Sequence, residues 1–361
     1  MQEAKGARSA GTRTTVWALR VGVCAGTLAA ALAALGAWSG HALAQSDSAV
    51  GHSEPAADWE HPMTPWGDPD LSGRWPIRHM TLTPLERPVE LGTRAFLTDE
   101  EFAARAESIE ARNTRYERET SQNSMGQGHW AEAGQIPQRQ ASLIVDPPNG
   151  RLPALTEAGM AKSATMRSSW QDIPFDTPED FDSWDRCVTR GMPASMFPMQ
   201  YNNGIEIHQA PGYVLIRLEM IHEIRIVPVD GRPPLDPNIK LWMGESRGHW
   251  EGDTLVVETT NFNGQTPMTN VVTPGAPPNN DIPTSESTRT VERFTRTGDE
   301  TLLYEITTHD PEMMVQPWTV AYEWQLEPDY VIYEYACHEG NTAIRNYIET
   351  SRYERAQQAA R

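Results

Sequence analysis

Between Gly204 and Ala336, short runs of β-branched and aromatic residues alternate with tight-turn residues, and this rhythm leaves little choice of architecture. Tyr213–Leu218 and Ile224–Val229 read as strands, with Asp230-Gly231 turning after the second. Ser246–Trp250 and Thr254–Thr260 read as a hairpin around Glu251-Gly252-Asp253. Val291–Phe294 and Thr301–Ile306 make another around Gly298-Asp299, and Trp318–Gln325 is expected to pair with Tyr330–Ala336 across Glu327-Pro328-Asp329. No βαβ alternation and no Gly-rich phosphate loop appears, so a dinucleotide cofactor is unsupported. The expected fold is mainly β: an antiparallel barrel-like or sandwich domain with an N-terminal helical and irregular arm.

The half before Gly204 has a different texture. Thr98 and Glu101 make a capping box for a helix over 98–118. Phe102, Ala106, Ile109 and Tyr116 fall on one stripe of that helix, expected to dock it on a sheet. Residues 120–150 are rich in Gln, Gly and Pro and read as irregular, and a shorter helix is expected to start near Thr156. The Pro- and Asn-rich stretch 273–284 reads as the longest loop of the later half.

Lys5, Arg8, Arg13 and Arg20 precede an apolar run, Val21 to Trp38, which ends in His41-Ala42-Leu43-Ala44. That order is a basic region, an apolar region and an A-x-A cleavage site, so residues 1–44 are expected to be a signal peptide. An uncleaved anchor is the other reading, since the run is near the spanning limit. Residues 45–65 read as a flexible N-terminal arm and 66–361 as one β-rich domain. No later stretch is apolar enough to span a membrane. The first 44 residues hold four of the 30 basic residues and one of the 49 acids, which leaves 26 basic against 48 acidic, a balance of −22. Such a surface repels phosphate backbones and excludes nucleic acid as a partner. Only Cys187 and Cys337 follow residue 44, and in an oxidising periplasmic or extracellular compartment they are expected to form a disulfide.

Two groups of residues carry chemistry. In the first, Arg217 and Glu219 are expected to share the outer face of a strand, with His222 at the hairpin tip and Arg225 on the returning strand. Glu219 and His222 would act as general base and acid, and Arg225 would hold an anion. A cross-strand Glu–Arg pair on a solvated face is the plain alternative. In the second, the disulfide would gather Asp185, Arg186, His338 and Glu339, with His338 as the proton-transfer group oriented by Glu339. Trp250 and Trp318 are candidates to line a ligand pocket, although most of the ten tryptophans beyond residue 44 are expected to fill the core. Glu219, His222, His338 and Glu339 could ligate a divalent metal, but no metal-ligand spacing is present and no cofactor is expected. His309-Asp310-Pro311 reads as a strand-ending turn, and Ser246 as a poor nucleophile.

Three strings carry a resemblance: Glu219-Met220-Ile221-His222, Gly244 to Val257 (GESRGHWEGDTLVV), and Tyr333 to Asn341 (YEYACHEGN). On these the chain resembles a widespread family of exported, largely uncharacterised bacterial proteins, which implies one exported domain and brings no reaction with it. Gly73-Arg74-Trp75 is similar to the Gly-x-Trp opening of lipocalin-type barrels. The expected function is an exported hydrolase, lyase or isomerase using carboxylate and imidazole acid–base chemistry on a small organic or saccharide substrate. The alternative is a non-catalytic periplasmic small-molecule carrier of lipocalin type. A catalytic pocket should gather charged groups, and a carrier pocket should be apolar throughout. Oligomeric state is left open.

Overall fold

The computed structural model describes residues 59–132 and 135–361. The expected signal peptide and the arm as far as residue 58 lie outside the described residues. In chain order the strands are β1 (Gly73–Arg74), β2 (Ile144–Asp146), β3 (Ile205–Ala210), β4 (Tyr213–Leu218), β5 (Ile224–Pro228), β6 (Glu245–Glu251), β7 (Thr254–Thr260), β8 (Arg289–Arg296), β9 (Thr301–His309) and β10 (Trp318–Gln325). They form two antiparallel sheets, β1-β3-β4-β5 and β2-β10-β9-β8-β7-β6. The three longer helices are α1 (Asp99–Ser121), α2 (Glu157–Ser163) and α3 (Ala343–Ala359).

The strands form where the alternation demanded them. In β8 and β9 every second side chain is buried, the period-2 pattern of a sheet with one face on the core. Trp75, Phe197, Phe294, Trp318, Tyr322 and Trp324 fill the space these faces enclose. Each large apolar side chain buried there contributes about 1.5–3 kcal/mol. β5 and β6 pack side by side without a ladder: a Cβ on Gly248 would fall 2.8 Å from Val229 and 2.9 Å from Val227. At the far end, Glu327 N donates to Arg74 O at 2.9 Å. Among the described residues the ladders do not close the two sheets into a barrel.

Two sequence expectations are corrected, and one helix stands where the sequence reading placed no element. Tyr330–Ala336 is not the hairpin partner of β10; β9 pairs β10 along its whole length, and 330–336 leaves the sheet as an extended strap. Pro328 and Asp329 form a tight turn, closed by Tyr330 N donating to Glu327 O at 3.0 Å, and the strap's polar groups then bond side chains instead of a ladder. The stripe of α1 does bury Ile109 and Tyr116, but against segment 127–140 and not a sheet. Arg105 donates to Gln138 O and Gln140 O, and Tyr116 Oη to Gln127. Helix α3 is the third difference. It has no side-chain N-cap, so no start signal marks it, and it is held through Tyr347 against Phe175 and Phe181 and by Arg352 and Arg355 to Asp176.

The beginning of the described chain is tied down where an arm was expected. Met63 bridges Pro69, and Trp59 Nε1 donates to Asp299 at 3.1 Å. α1 begins at the expected cap, with the Thr98–Glu101 box formed in both directions, and α2 is capped by Thr156. Cys187 and Cys337 are joined, with Cα atoms 5.7 Å apart.

Candidate functional site

Strand β4 ends at Leu218, one residue earlier than strict alternation requires. Glu219 turns into helical geometry, and Ile221 and His222 then take left-handed conformations with φ of 60° and 43°. For a β-branched residue that conformation is strained and persists only where its surroundings impose it. The result is that Glu219 does not share the outer face with Arg217. It swings inward and is 2% exposed, while Arg217 pairs with Glu206.

Four donors converge on Glu219. Asn202 Nδ2 and Tyr333 N reach Oε1 at 3.0 and 3.1 Å, and Gly204 N and Tyr330 Oη reach Oε2 at 3.0 and 2.8 Å. Glycine at 204 is required by this packing: a Cβ there would fall 2.6 Å from Glu219 Oε2 and 2.7 Å from Tyr330 Cε1. A second carboxylate stands on the other side of the phenol. Tyr330 Oη lies 3.0 Å from Glu132 Oε1, and Glu132 also accepts from Asn203 N and Asn203 Nδ2. Glu132 and Glu219 oxygens therefore lie within about 6 Å of each other.

A phenol carries one hydrogen, so it donates to one carboxylate only. The second short contact is satisfied when the other carboxyl group is protonated and donates to the phenol oxygen. Glu132 is the group that fits. Burial pushes its pKa up, and the nearby charge of Glu219 adds to this against the bonds from Asn203 and Tyr330. Burial and the two carboxylates push the Tyr330 phenol up as well, so it stays protonated.

This cluster faces a cavity of about 630 Å³. Trp130, Tyr201 and Tyr333 form aromatic walls, with Trp130 edge-on to Tyr201 at 5.2 Å. Arg78, paired with Glu327, lies at the rim with its guanidinium 5.5 Å from the Tyr330 ring centre. A second cavity of about 520 Å³ adjoins it through Asn202 and is lined by Trp170, Trp184, Asp185, Tyr335 and Glu339. The strap 330–341 contributes to both.

The expected site residues divide accordingly. Glu219 lines the first cavity and Glu339 the second. His222 is exposed, and its Nδ1–H donates to Tyr335 O at 2.8 Å, which makes it a tie for the strap. His338 is exposed on the turn beyond Cys337 and lines neither cavity. Arg186 is half-buried and donates to Asp182 O. Arg225 is separated from Glu219 and His222 altogether: its register opposite Ile216 turns it inward, where it pairs with Glu292. Trp318 is 1% exposed in the core and Trp250 packs against that core, so the indoles that line the cavities are Trp130, Trp170 and Trp184. Among the described residues no three His, Cys, Asp or Glu side chains group as metal ligands, and no helix is long and apolar enough to cross a membrane.

Sequence reasoning missed Glu132, Tyr330, Asn203 and Trp130. Glu132 lies in an irregular segment where no periodicity marks a residue, and Tyr330 was assigned to a strand. No family model, curated protein or solved structure matches the chain.

Proposed function

We propose that this is an exported acid–base enzyme acting on a small hydroxylated substrate, with a saccharide the best fit. The observation that carries the reading is the chain Glu132–Tyr330–Glu219 at the floor of an open, aromatic-walled cavity. Glu132 is the proton donor, since burial raises its pKa, the direction that general acid catalysis needs. Glu219 is the acceptor that stabilises developing positive charge or takes the proton back, and Tyr330 relays between them. Trp130 and Tyr333 offer faces for a sugar ring, and Glu327 and Asp329 offer acceptors for its hydroxyls. The charged lining favours an enzyme over an apolar-pocket carrier.

The basic and apolar N-terminal run and the Cys187–Cys337 link support a periplasmic or secreted location. The side-by-side packing of β5 on β6 and the bond from Glu327 to Arg74 support a barrel-like wrap of the two sheets.

The test is Glu132→Gln against a panel of glycosides and small hydroxylated substrates. Turnover should fall by about 10²–10⁴-fold, the usual worth of an acid–base group. A ¹³C-glutamate NMR titration of the ligand-free protein should show two side chains, Glu132 and Glu223, both raised by burial, titrating above the ordinary range, and only the first of them should be lost in the variant. A variant with full turnover and no missing titration would overturn the assignment.

A further inference from the structure

The tryptophans of the described chain separate by exposure. Trp75, Trp318 and Trp324 are sealed in the core at 0–1%, whereas Trp130 and Trp170 stand 47% and 48% exposed, more than any other described indole. These two line different cavities, Trp130 the first and Trp170 the second. An indole left half in solvent at the wall of a polar cleft has apolar area still to bury, and a ligand in that cleft is what buries it. The second cavity, about 520 Å³, is itself of the size that holds a small ligand, about 300–1,000 Å³. It shares Asn202 with the first, and the strap walls both, through Tyr330 and Tyr333 on one side and Tyr335 and Glu339 on the other.

The polar groups of the second cavity narrow what it takes. Asp185 is already engaged by Ser169 N and Ser169 Oγ at 2.8 and 2.7 Å. Glu334 and Glu339 are exposed on the strap and can accept from hydroxyl groups. Every charged residue lining this cavity is acidic. In the first cavity the basic lining residue is Arg78, and it is paired with Glu327. A carboxylate or sulfate on the ligand therefore meets like charge in both places.

We propose that the second cavity is a subsite for a further ring of the same substrate, so that the substrate is an uncharged saccharide chain of two or more rings, stacked on Trp130 at one ring and on Trp170 at the next. This rests on the saccharide reading given above and extends it from a single ring to a chain. Asn202 stands where the cavities meet and bonds Glu219 at 3.0 Å, so a chain that spans both carries its linkage past that carboxylate.

A glycan array carrying neutral, uronic and sulfated glycans, of one ring and of several, tests this on the wild-type protein. Binding should be confined to neutral glycans and should be stronger for several rings than for one. In calorimetric titration Trp170→Ala should bind the best neutral chain about tenfold more weakly than wild type, and the matching single sugar equally well. Equal affinity for one ring and several overturns the subsite and leaves the saccharide reading standing. So does a preference for uronic or sulfated glycans, or an unchanged chain affinity in Trp170→Ala. A protein that binds no glycan of any length overturns both. The comparison of lengths needs no variant, so it decides even where Trp170→Ala does not fold.

Discussion

The molecule contains two buried polar clusters built from the same parts, a glutamate bonded to a tyrosine. Around Glu292, Arg225 donates through Nη1 at 2.9 Å and through Nη2 as well, and Tyr304 Oη donates at 2.9 Å. Ser246 and Thr259 accept from the same guanidinium, and Glu292 is fully buried. These residues come from β5, β6, β7, β8 and β9, so the cluster clasps the two sheets together. Around Tyr330 the second glutamate replaces the arginine. The charges there do not cancel within the cluster, and the residues come from strand ends, a loop and the strap instead of strand centres. A neutral sealed pair has nothing left to exchange. Two carboxylates joined through one phenol beside a cavity compete for protons, and the proposed acid–base function rests on that arrangement.

The comparison predicts opposite responses to one substitution. Glu292→Gln leaves the Arg225 charge buried and unpaired and should lower stability by about 3–5 kcal/mol. Glu132→Gln removes a buried carboxyl group whose charged form burial disfavours, and should lower stability little or raise it. Urea unfolding of both variants checks this. Equal losses would mean that the Tyr330 cluster is also a structural clasp.

The next effect concerns what holds the open cluster together. The strap carries Tyr330 and Tyr333 but takes part in no strand ladder, and Cys337 fixes it to Cys187 across 150 residues of chain. Replacing both cysteines by serine should lower stability by about 2–4 kcal/mol, less than the chain-entropy figure of about 5 kcal/mol for so long a loop. Amide exchange should speed up along 330–341 and stay unchanged in β7 to β9. Uniform acceleration along the chain would show that the bond stabilises the whole fold and does not position the strap.

The difference between the clusters also governs what could be read from sequence. Strands with one buried face announce themselves by alternation, so β4 to β10 were legible, as were the Thr98 cap and the disulfide. Arg225 was visible as a charged residue, but its face depended on register with β4, and Ile216 stands opposite it. Glu219 was found by residue type and placed on the wrong face, because the left-handed turn at Ile221–His222 breaks the alternation just where the site begins. Glu132 and Tyr330 lie 198 residues apart in segments without periodicity, and only the folded chain brings them together. Helix α3 has neither a cap nor a strong apolar stripe to reveal it.

The smallest expected effect is a pH dependence, and it separates the clusters most cleanly. Burial raises the Glu132 pKa in the folded state above the unfolded value of about 4.3. Between those two values the folded protein holds a proton that the unfolded chain has released. Stability contributed by this group is therefore full below about pH 4.3 and falls as pH rises through the folded pKa, after which it is level. Glu132→Gln has no proton to lose and escapes this fall. The stability of the variant relative to wild type should rise from about pH 4 towards neutrality, each unit of pKa difference counting for about 1.4 kcal/mol. Tyr330→Phe removes the phenol that joins the carboxylates and should change the size of that rise, while Tyr304→Phe in the sealed cluster should leave it unchanged. Denaturant midpoints measured across this range for the three variants and wild type supply the check. A flat difference for Glu132→Gln would mean that Glu132 is ionised throughout, and the shared proton would have to be given up.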